Sequence, residues 1–214
     1  MTYSVKETYY TLQGEGANAG RAAVFLRFTG CNLWSGRAAD RGKGPGGCSA
    51  WCDTDFLGTD GPGGGRFDAP EALARHVTAT WAGAGPERRF VVCTGGEPLL
   101  QLDEPLLAAL HVQGFAVAIE TNGTRPVPPG VDWVCVSPKA GAELAVRQGN
   151  ELKLVFPQQG VDPDAFTGLR FEHFLLQPLD GPQRDAHTRL AVRYCLEHPR
   201  WRLSLQTHKF LGIA

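Results

Sequence analysis

The sequence has no excess charge of either sign: 21 Lys and Arg stand against 22 Asp and Glu, with a pI near 6.6. A chain so balanced has no global attraction to nucleic acid or anionic lipid, so a small-molecule substrate fits better than either. Long hydrophobic runs are also missing. No stretch approaches the roughly 20 apolar residues that span a bilayer, and MTYSVKETYY lacks the basic segment and apolar core of a secretory signal. A cytoplasmic protein without membrane contact is expected. No repeat of fixed period is visible, and the single low-complexity tract, GTDGPGGG at 58–65, is short.

A disulfide framework is excluded on similar grounds. Six cysteines allow three bridges, but a reducing compartment and a chain of 214 residues, long enough to bury its own core, remove both the means and the need. The thiols fall into two groups. Cys93 in FVVCTGG, Cys135 in WVCVSP and Cys195 in LAVRYCLEH lie in apolar settings, where a thiol acts as a small hydrophobe. Cys31, Cys48 and Cys52 lie in CNLWSGRAADRGKGPGGCSAWC, too rich in Gly, Arg and Lys for a packed strand or helix. Thiolates are soft, anionic donors that suit zinc or an iron–sulfur cluster. Three protein ligands rather than four leave one metal position open, which points to chemistry rather than scaffolding.

Around this loop the chain alternates strand-like and helix-like segments. Strands are predicted at Ala23–Phe28, Phe90–Thr94, Ala116–Glu120, Trp133–Val136, Leu152–Phe156, His173–Leu176 and Arg202–Gln206. TLQGEGANAGR is a polar lead-in. Asp68 and Glu71 bracket a capping-box-like start, with Pro70 in the first turn, for a helix to about Thr80. Asp103 and Pro105 open another helix, which Gly114 ends as C-cap, and a third covers Gln183 to Glu197. The prolines of TRPVPPGVD make it a loop. This order predicts an α/β fold of mostly parallel strands with right-handed crossovers, in one domain spanning 1–214, with a cysteine-loop insertion at about 31–66.

Polar or glycine-rich residues follow nearly every predicted strand: the cysteines, then TGGEP, ETNG, SPK and QPLDG. In parallel α/β folds such loops converge on one face, where active sites form. Taken singly, each has a bland reading. Gly95, Gly96, Glu97 and Pro98 can be a sharp turn, Asn122–Gly123 an Asx turn, and Ser137 and Lys139 a cap and a solvated cation. Glu120, at a strand end, is equally able to hold a ribose hydroxyl or an ammonium group.

Jointly, a triple-cysteine loop after the first predicted strand and GGEP after the second resemble the radical S-adenosylmethionine (SAM) superfamily. Its usual spacing is C-x3-C-x2-C with an aromatic residue before the third cysteine. Here Trp51 precedes Cys52, while the two intervals hold 16 and three residues. LQGEG at Leu12–Gly16, FLRFTGCNLW at Phe25–Trp34, CDT at Cys52–Thr54, TGGEP, ETNG, SPK, QP at Gln177–Pro178 and QTHK at Gln206–Lys209 together resemble the 7-carboxy-7-deazaguanine synthase family, some members of which have an enlarged first cysteine interval.

The resemblance implies a modified, incomplete (β/α) barrel with six or seven strands, dimeric because partial barrels expose edges. It implies a radical SAM lyase that converts 6-carboxy-5,6,7,8-tetrahydropterin to 7-carboxy-7-deazaguanine with loss of ammonia, in 7-deazapurine (queuosine precursor) biosynthesis. Cys31, Cys48 and Cys52 would bind three irons of a 4Fe-4S cluster. Gly96 and Glu97, with Glu120, Asn122, Ser137, Pro138, Lys139 and the Gln177, Pro178, Leu179, Asp180 segment, would hold SAM. Leu12, Gln13 and Gly14 would grip the pterin with Glu15 nearby, Arg27 would pair with its carboxylate, Thr94 would also touch substrate, and His208 and the C-terminal Ala214 would close the pocket. Thr54 would ligate Mg²⁺. Arg27, Glu15 and Lys139 stand nearest the chemistry, and a flavodoxin-like electron donor is implied. A different radical enzyme, such as a glycyl-radical activase, and a structural zinc module closed by a histidine remain as rivals.

Overall fold

The structure is a computed structural model that describes residues 2–85 and 88–213. Among these residues nine strands form one sheet in the order β3-β1-β2-β4-β5-β6-β7-β8-β9. Seven run parallel: β2 (Ala22–Phe28), β4 (Phe90–Gly95), β5 (Ala116–Thr121), β6 (Trp133–Val136), β7 (Gln148–Phe156), β8 (Arg170–Pro178) and β9 (Trp201–Leu203). These contain or overlap the seven strands predicted from sequence. Two more bring the total above the expected six or seven. β1 (Tyr3–Leu12) pairs antiparallel with β2, and β3 (Gly65–Phe67) pairs antiparallel with β1.

Alternation along the parallel strands sorts residues onto two faces. Val24, Leu26 and Phe28 of β2, Val91 and Cys93 of β4, and Val117 and Ile119 of β5 pack with Leu73, Val77, Leu106 and Leu110. Those four come from α1 (Pro70–Thr80) and α2 (Glu104–Val112). Further along, Leu152, Leu154, Phe174 and Leu176 pack with Ala191 of α3 (Arg184–Glu197) and Trp201. The opposite face carries a smaller apolar group, Ala23, Phe90, Val92 and Ala118, with Phe25 against it. Arg27, Thr94 and Glu120 follow at the next positions in register on that face, toward the strand C-termini.

The helix starts show which local signals act. Asp103 accepts from Leu106 N at 3.0 Å, a normal N-cap, and Gly114 beyond the helix end has φ of 79°. Asp68 does not cap α1: the N-cap is Ala69 without a side-chain bond, and the Asp68 carboxylate instead receives Thr2 Oγ1 at 3.1 Å. Pro70 still supplies a preset first turn.

The sheet edges β3 and β9 are not paired with each other. Loops bridge the open side. The β1–β2 connection crosses to β7, where Ala17 N donates to Glu151 Oε2 at 2.7 Å. It also meets the segment after β9: Gly16 N donates to Ser204 Oγ at 2.9 Å, and Thr207 N to Gly14 O at 2.9 Å. α4 (Thr207–Leu211) then lies across that connection. The result is an incomplete barrel with a polar interior. No helix among the described residues is long and apolar enough to cross a membrane.

Candidate active site

A cavity of about 420 Å³ opens on the concave face. Its wall includes Cys31, Cys48, Cys52 and Thr54 from the cysteine loop, Arg27 and Thr94 from strand ends, and Leu12, Gln13, Gly14 and Glu15 from the β1–β2 connection. Gly96, Glu120, Asn122, Ser137, Lys139, Gln177 and His208 complete the predicted residues that reach it. Most follow strand C-termini, as expected. The Leu12–Glu15 segment does not: Leu12 pairs with Ala22, the first residue of β2, so this segment leaves the sheet at the other end and then crosses the concave face.

The cysteines are brought together by local geometry. A short 3-10 turn, Gly47–Ala50, carries Cys48, and Cys52 N donates to Cys48 O at 2.8 Å. That bond closes one helical turn between positions i and i+4, which sets both side chains on one side and accommodates the three-residue interval. Cys31 follows Gly30, whose carbonyl accepts from Glu97 N at 2.9 Å, and its sulfur accepts from Leu33 N at 3.4 Å. Burial pushes the Cys31 thiol up and the Cys48 thiol to about 11; the Lys139 ammonium opposes the latter shift. All six cysteines are free, and Cys93 and Cys135 are buried in the sheet.

The GGEP turn is a brace as well as a wall. Glu97 is fully buried, and its carboxylate accepts from Leu99 N at 3.0 Å, Thr121 Oγ1 at 2.7 Å and Asn122 N at 2.8 Å. It is therefore absent from the cavity wall, and its side chain does not reach a ligand there. What it fixes is the course of the β4 and β5 loops. A Cβ at Gly96 would collide with Gly30 O and Cys31 Cβ, so glycine is needed for the turn to lie against the cysteine loop.

Other predicted residues are also displaced from the wall. Pro138 lies behind it with its carbonyl accepting Gln158 Nε2 at 3.3 Å. Pro178 pairs with Phe156, and Leu179 N donates to Phe156 O at 2.8 Å. Asp180 binds Lys209 Nζ at 2.7 Å, and the same ammonium binds Asp53 at 2.8 Å, tying α4 to the cysteine loop and to the turn after β8. Ala214 lies outside the described residues.

Two groups of polar side chains divide the cavity. At the cysteine side, Lys139 donates to Ser137 Oγ at 2.6 Å and lies 5.6 Å from the Trp51 ring. Burial drives the Lys139 pKa down, and Cys48 and Cys52 act against the shift. In the second group, Lys153 bridges Glu15 and Glu120, and Gln13 Nε2 donates to Glu120 Oε1 at 3.1 Å. Glu120 thus faces the Leu12–Glu15 segment. Arg27 lies in the wall with its Nε on Glu7 Oε1 at 2.7 Å and an Nη2 proton toward Tyr9 Oη at 3.3 Å. Those contacts use two of its five N–H donors and leave three for an anion.

The comparisons with known proteins match this architecture over its whole length. No family model matches the sequence. A 7-carboxy-7-deazaguanine synthase from Bordetella pertussis is 65% identical over 213 residues, covering all of both chains. The synthase of the same name from Caulobacter vibrioides is 62% identical, again over all of both. The chain belongs to the 7-carboxy-7-deazaguanine synthase family. The crystal structure of QueE from Escherichia coli superposes with a TM-score of 0.69 at 29% identity, covering 97% of this chain and 95% of that one.

Membership in the synthase family implies SAM and an iron–sulfur cluster. The donor set fits: three free thiols line one cavity beside the partly buried Lys139 ammonium, with a backbone N–H on the Cys31 sulfur. Among the described residues no three His, Cys, Asp or Glu side chains are grouped as ligands of a single ion. A cluster whose thiolates each bind a separate iron does not require such a group, whereas the closed zinc site left open by the cysteine pattern does.

Sequence reasoning missed Lys153, Glu7 and Tyr9 as parts of this site, and it named Gln206 and Lys209 within QTHK without giving either a role. For Lys153 a signal was present: a cation inside LKLVF is the same pattern that marks Arg27 inside AVFLRF.

Proposed function

We propose that this chain is a radical SAM lyase that converts 6-carboxy-5,6,7,8-tetrahydropterin to 7-carboxy-7-deazaguanine with loss of ammonia, a step toward queuosine-type 7-deazapurines. The observation that carries this reading is one cavity holding three free thiols and a partly buried arginine, in a chain 65% identical over its full length to a protein of that name. Cys31, Cys48 and Cys52 would hold a 4Fe-4S cluster, and Gly96, Asn122, Ser137, Lys139 and Gln177 would hold SAM. When bound, cluster and SAM together supply a carbon-centred radical by one-electron cleavage of the sulfonium.

The protein's own residues bind, orient and exclude water. Glu7 and Tyr9 fix Arg27 so that its free donors face a substrate carboxylate, a geometry that favours a planar guanidinium over an ammonium. Thr94 stands on the neighbouring strand in register with Arg27. Gln13 and Gly14 form the wall for the pterin ring, and His208 packs on Gly14 to cover it. Thr54 offers a hydroxyl for Mg²⁺, which takes few protein ligands and otherwise keeps water and substrate oxygens. Pro138, Leu179 and Asp180 act by shaping the loops that carry Ser137, Lys139 and Gln177. Holding reactants in one orientation is the main catalytic contribution such a site makes.

A flavodoxin-like protein as electron donor, a homodimer covering the free sheet edges, a single domain over 1–214 and a cytoplasmic setting complete the proposal. Six free thiols support the last. The test is anaerobic incubation of reconstituted protein with reductant, SAM and the carboxytetrahydropterin. Formation of 7-carboxy-7-deazaguanine is expected; protein that binds zinc, stays colourless and forms no product contradicts the assignment.

A further inference from the structure

The cavity wall contains one cation that the motifs do not account for. Lys153 sits in β7 between Leu152 and Leu154, both packed in the core on the other face. Alternation turns it toward the cavity, yet it is only 3% exposed. Its ammonium donates to Glu15 Oε2 at 2.5 Å and to Glu120 Oε1 at 3.0 Å. These acids come from the β1–β2 connection and from the end of β5, and both line the cavity. Gln206 Nε2 donates to Glu15 Oε1 at 2.9 Å, and Gln13 Nε2 to Glu120 Oε1 at 3.1 Å. A carboxylate has about four lone-pair sites, so each acid retains acceptor capacity toward a ligand.

We propose that Lys153 is a positioning residue for the substrate: it holds Glu15 and Glu120 as a fixed pair of acceptors for the ring N–H and exocyclic amine of an amino-pyrimidinone. The inference rests on the function proposed above. A neutral amino-pyrimidinone edge offers adjacent N–H donors and no positive charge, so it cannot itself offset two neighbouring carboxylates. Without a cation one of the acids takes up a proton, and an acceptor becomes a donor. Burial alone raises the Glu15 carboxyl, but Lys153, with hydrogen bonds from Gln206 and Gln177, outweighs it and holds the group at about 2.

No other group facing Lys153 does this work. Glu151, on the same strand, is engaged by Ala17 N. Cys135 on β6 is a buried thiol pushed well up by that burial. Lys139, after β6, is held at Ser137 and is felt by Cys48 and Cys52. Leu175, its partner in register on β8, is uncharged. His208 of α4 packs on Gly14.

The test compares wild type, Lys153→Gln and Lys153→Arg as reconstituted holoenzymes. KM for the carboxytetrahydropterin and kcat are measured from about pH 6 to 9, with calorimetric binding of 7-carboxy-7-deazaguanine alongside. Loss of one charge-assisted contact set predicts a KM raised about tenfold or more near pH 7 in K153Q. That defect should shrink as pH rises and the uncompensated acid ionises, and K153R should restore KM to within about threefold of wild type. An unchanged KM in K153Q overturns the proposal, as does a defect equal at all pH and not rescued by arginine. If K153Q does not fold, the charge-balanced Glu120→Gln/Lys153→Gln variant replaces it. A raised KM without pH recovery is then expected, and a wild-type KM overturns the proposal. Wild-type protein that makes no product overturns the function and this inference together; normal wild-type turnover with an unaffected K153Q overturns this inference alone.

Discussion

At the scale of single residues, the site separates groups that touch a ligand from groups that hold others in place. Glu97 belongs to the second kind. Its carboxylate satisfies three buried donors, and truncation to alanine leaves Leu99 N, Thr121 Oγ1 and Asn122 N unpaired. A loss on the order of 3 kcal/mol is expected for Glu97→Ala in urea unfolding, with Glu97→Gln losing less because one acceptor oxygen remains. The two kinds of cysteine predict a clean contrast. Cys48→Ala should lose the cluster's iron, whereas Cys93→Ala, in the apolar core, should keep it; equal iron content in both refutes the ligand assignment. The difference between these thiols was legible in the sequence because apolar flanks place Cys93 in a strand and glycine-rich flanks place Cys48 in a loop; burial itself does not separate them, since Cys48 is buried too and Cys195 only partly so. The function of Glu97 was not, because a carboxylate beside two glycines has the same sequence signature whether it faces a ligand or the protein interior.

At the scale of elements, the seven parallel strands could be read from apolar runs bounded by turn residues, and the two antiparallel ones could not. The reason is specific to β1. Tyr3 and Val5 enter the core, Glu7 and Tyr9 line the cavity, and a register shift between Val5 and Glu7 breaks the alternation. A strand with a polar inner face and a bulge lacks the period-2 hydrophobic signal. β3 has only three residues. The motif LQGEG was visible as a sequence, but its place at the N-terminal end of β2 depends on β1 and so was hidden with it. α4 makes a further prediction. It is held by Thr207 on Gly14 O and by Lys209 on Asp53 and Asp180. A Cβ at Gly14 would strike the His208 ring, so Gly14→Ala should lift α4. Faster hydrogen exchange over 204–211 and a raised KM for substrate are the expected readouts, with the exchange of α2 unchanged.

At the scale of the whole molecule, an open sheet is closed by contacts between its two ends, and much of that closure is electrostatic. Glu15, from the β1–β2 connection, pairs with Lys153 of β7 and receives Gln206 after β9. Burial opposes the charge on Glu15, but these partners hold its pKa at about 2. Because the folded value lies below the unfolded carboxyl value of about 4.3, the stabilisation is complete above that pH and is lost as pH falls toward about 2. Glu15→Gln should flatten the acid limb of stability between those values, as read by Tm against pH.

The incomplete barrel lines one cavity with three thiols and with the Glu15–Lys153–Glu120 group, which suits a cofactor and a substrate bound together. If SAM serves there as a cofactor that is regenerated, product should exceed the SAM supplied. The decisive measurement is 7-carboxy-7-deazaguanine formed by reconstituted protein with excess reductant and substrate but substoichiometric SAM, counted by mass spectrometry. Several products per SAM, each accompanied by one ammonia, are predicted; no product, or one 5′-deoxyadenosine released per turnover until SAM is exhausted, contradicts the account.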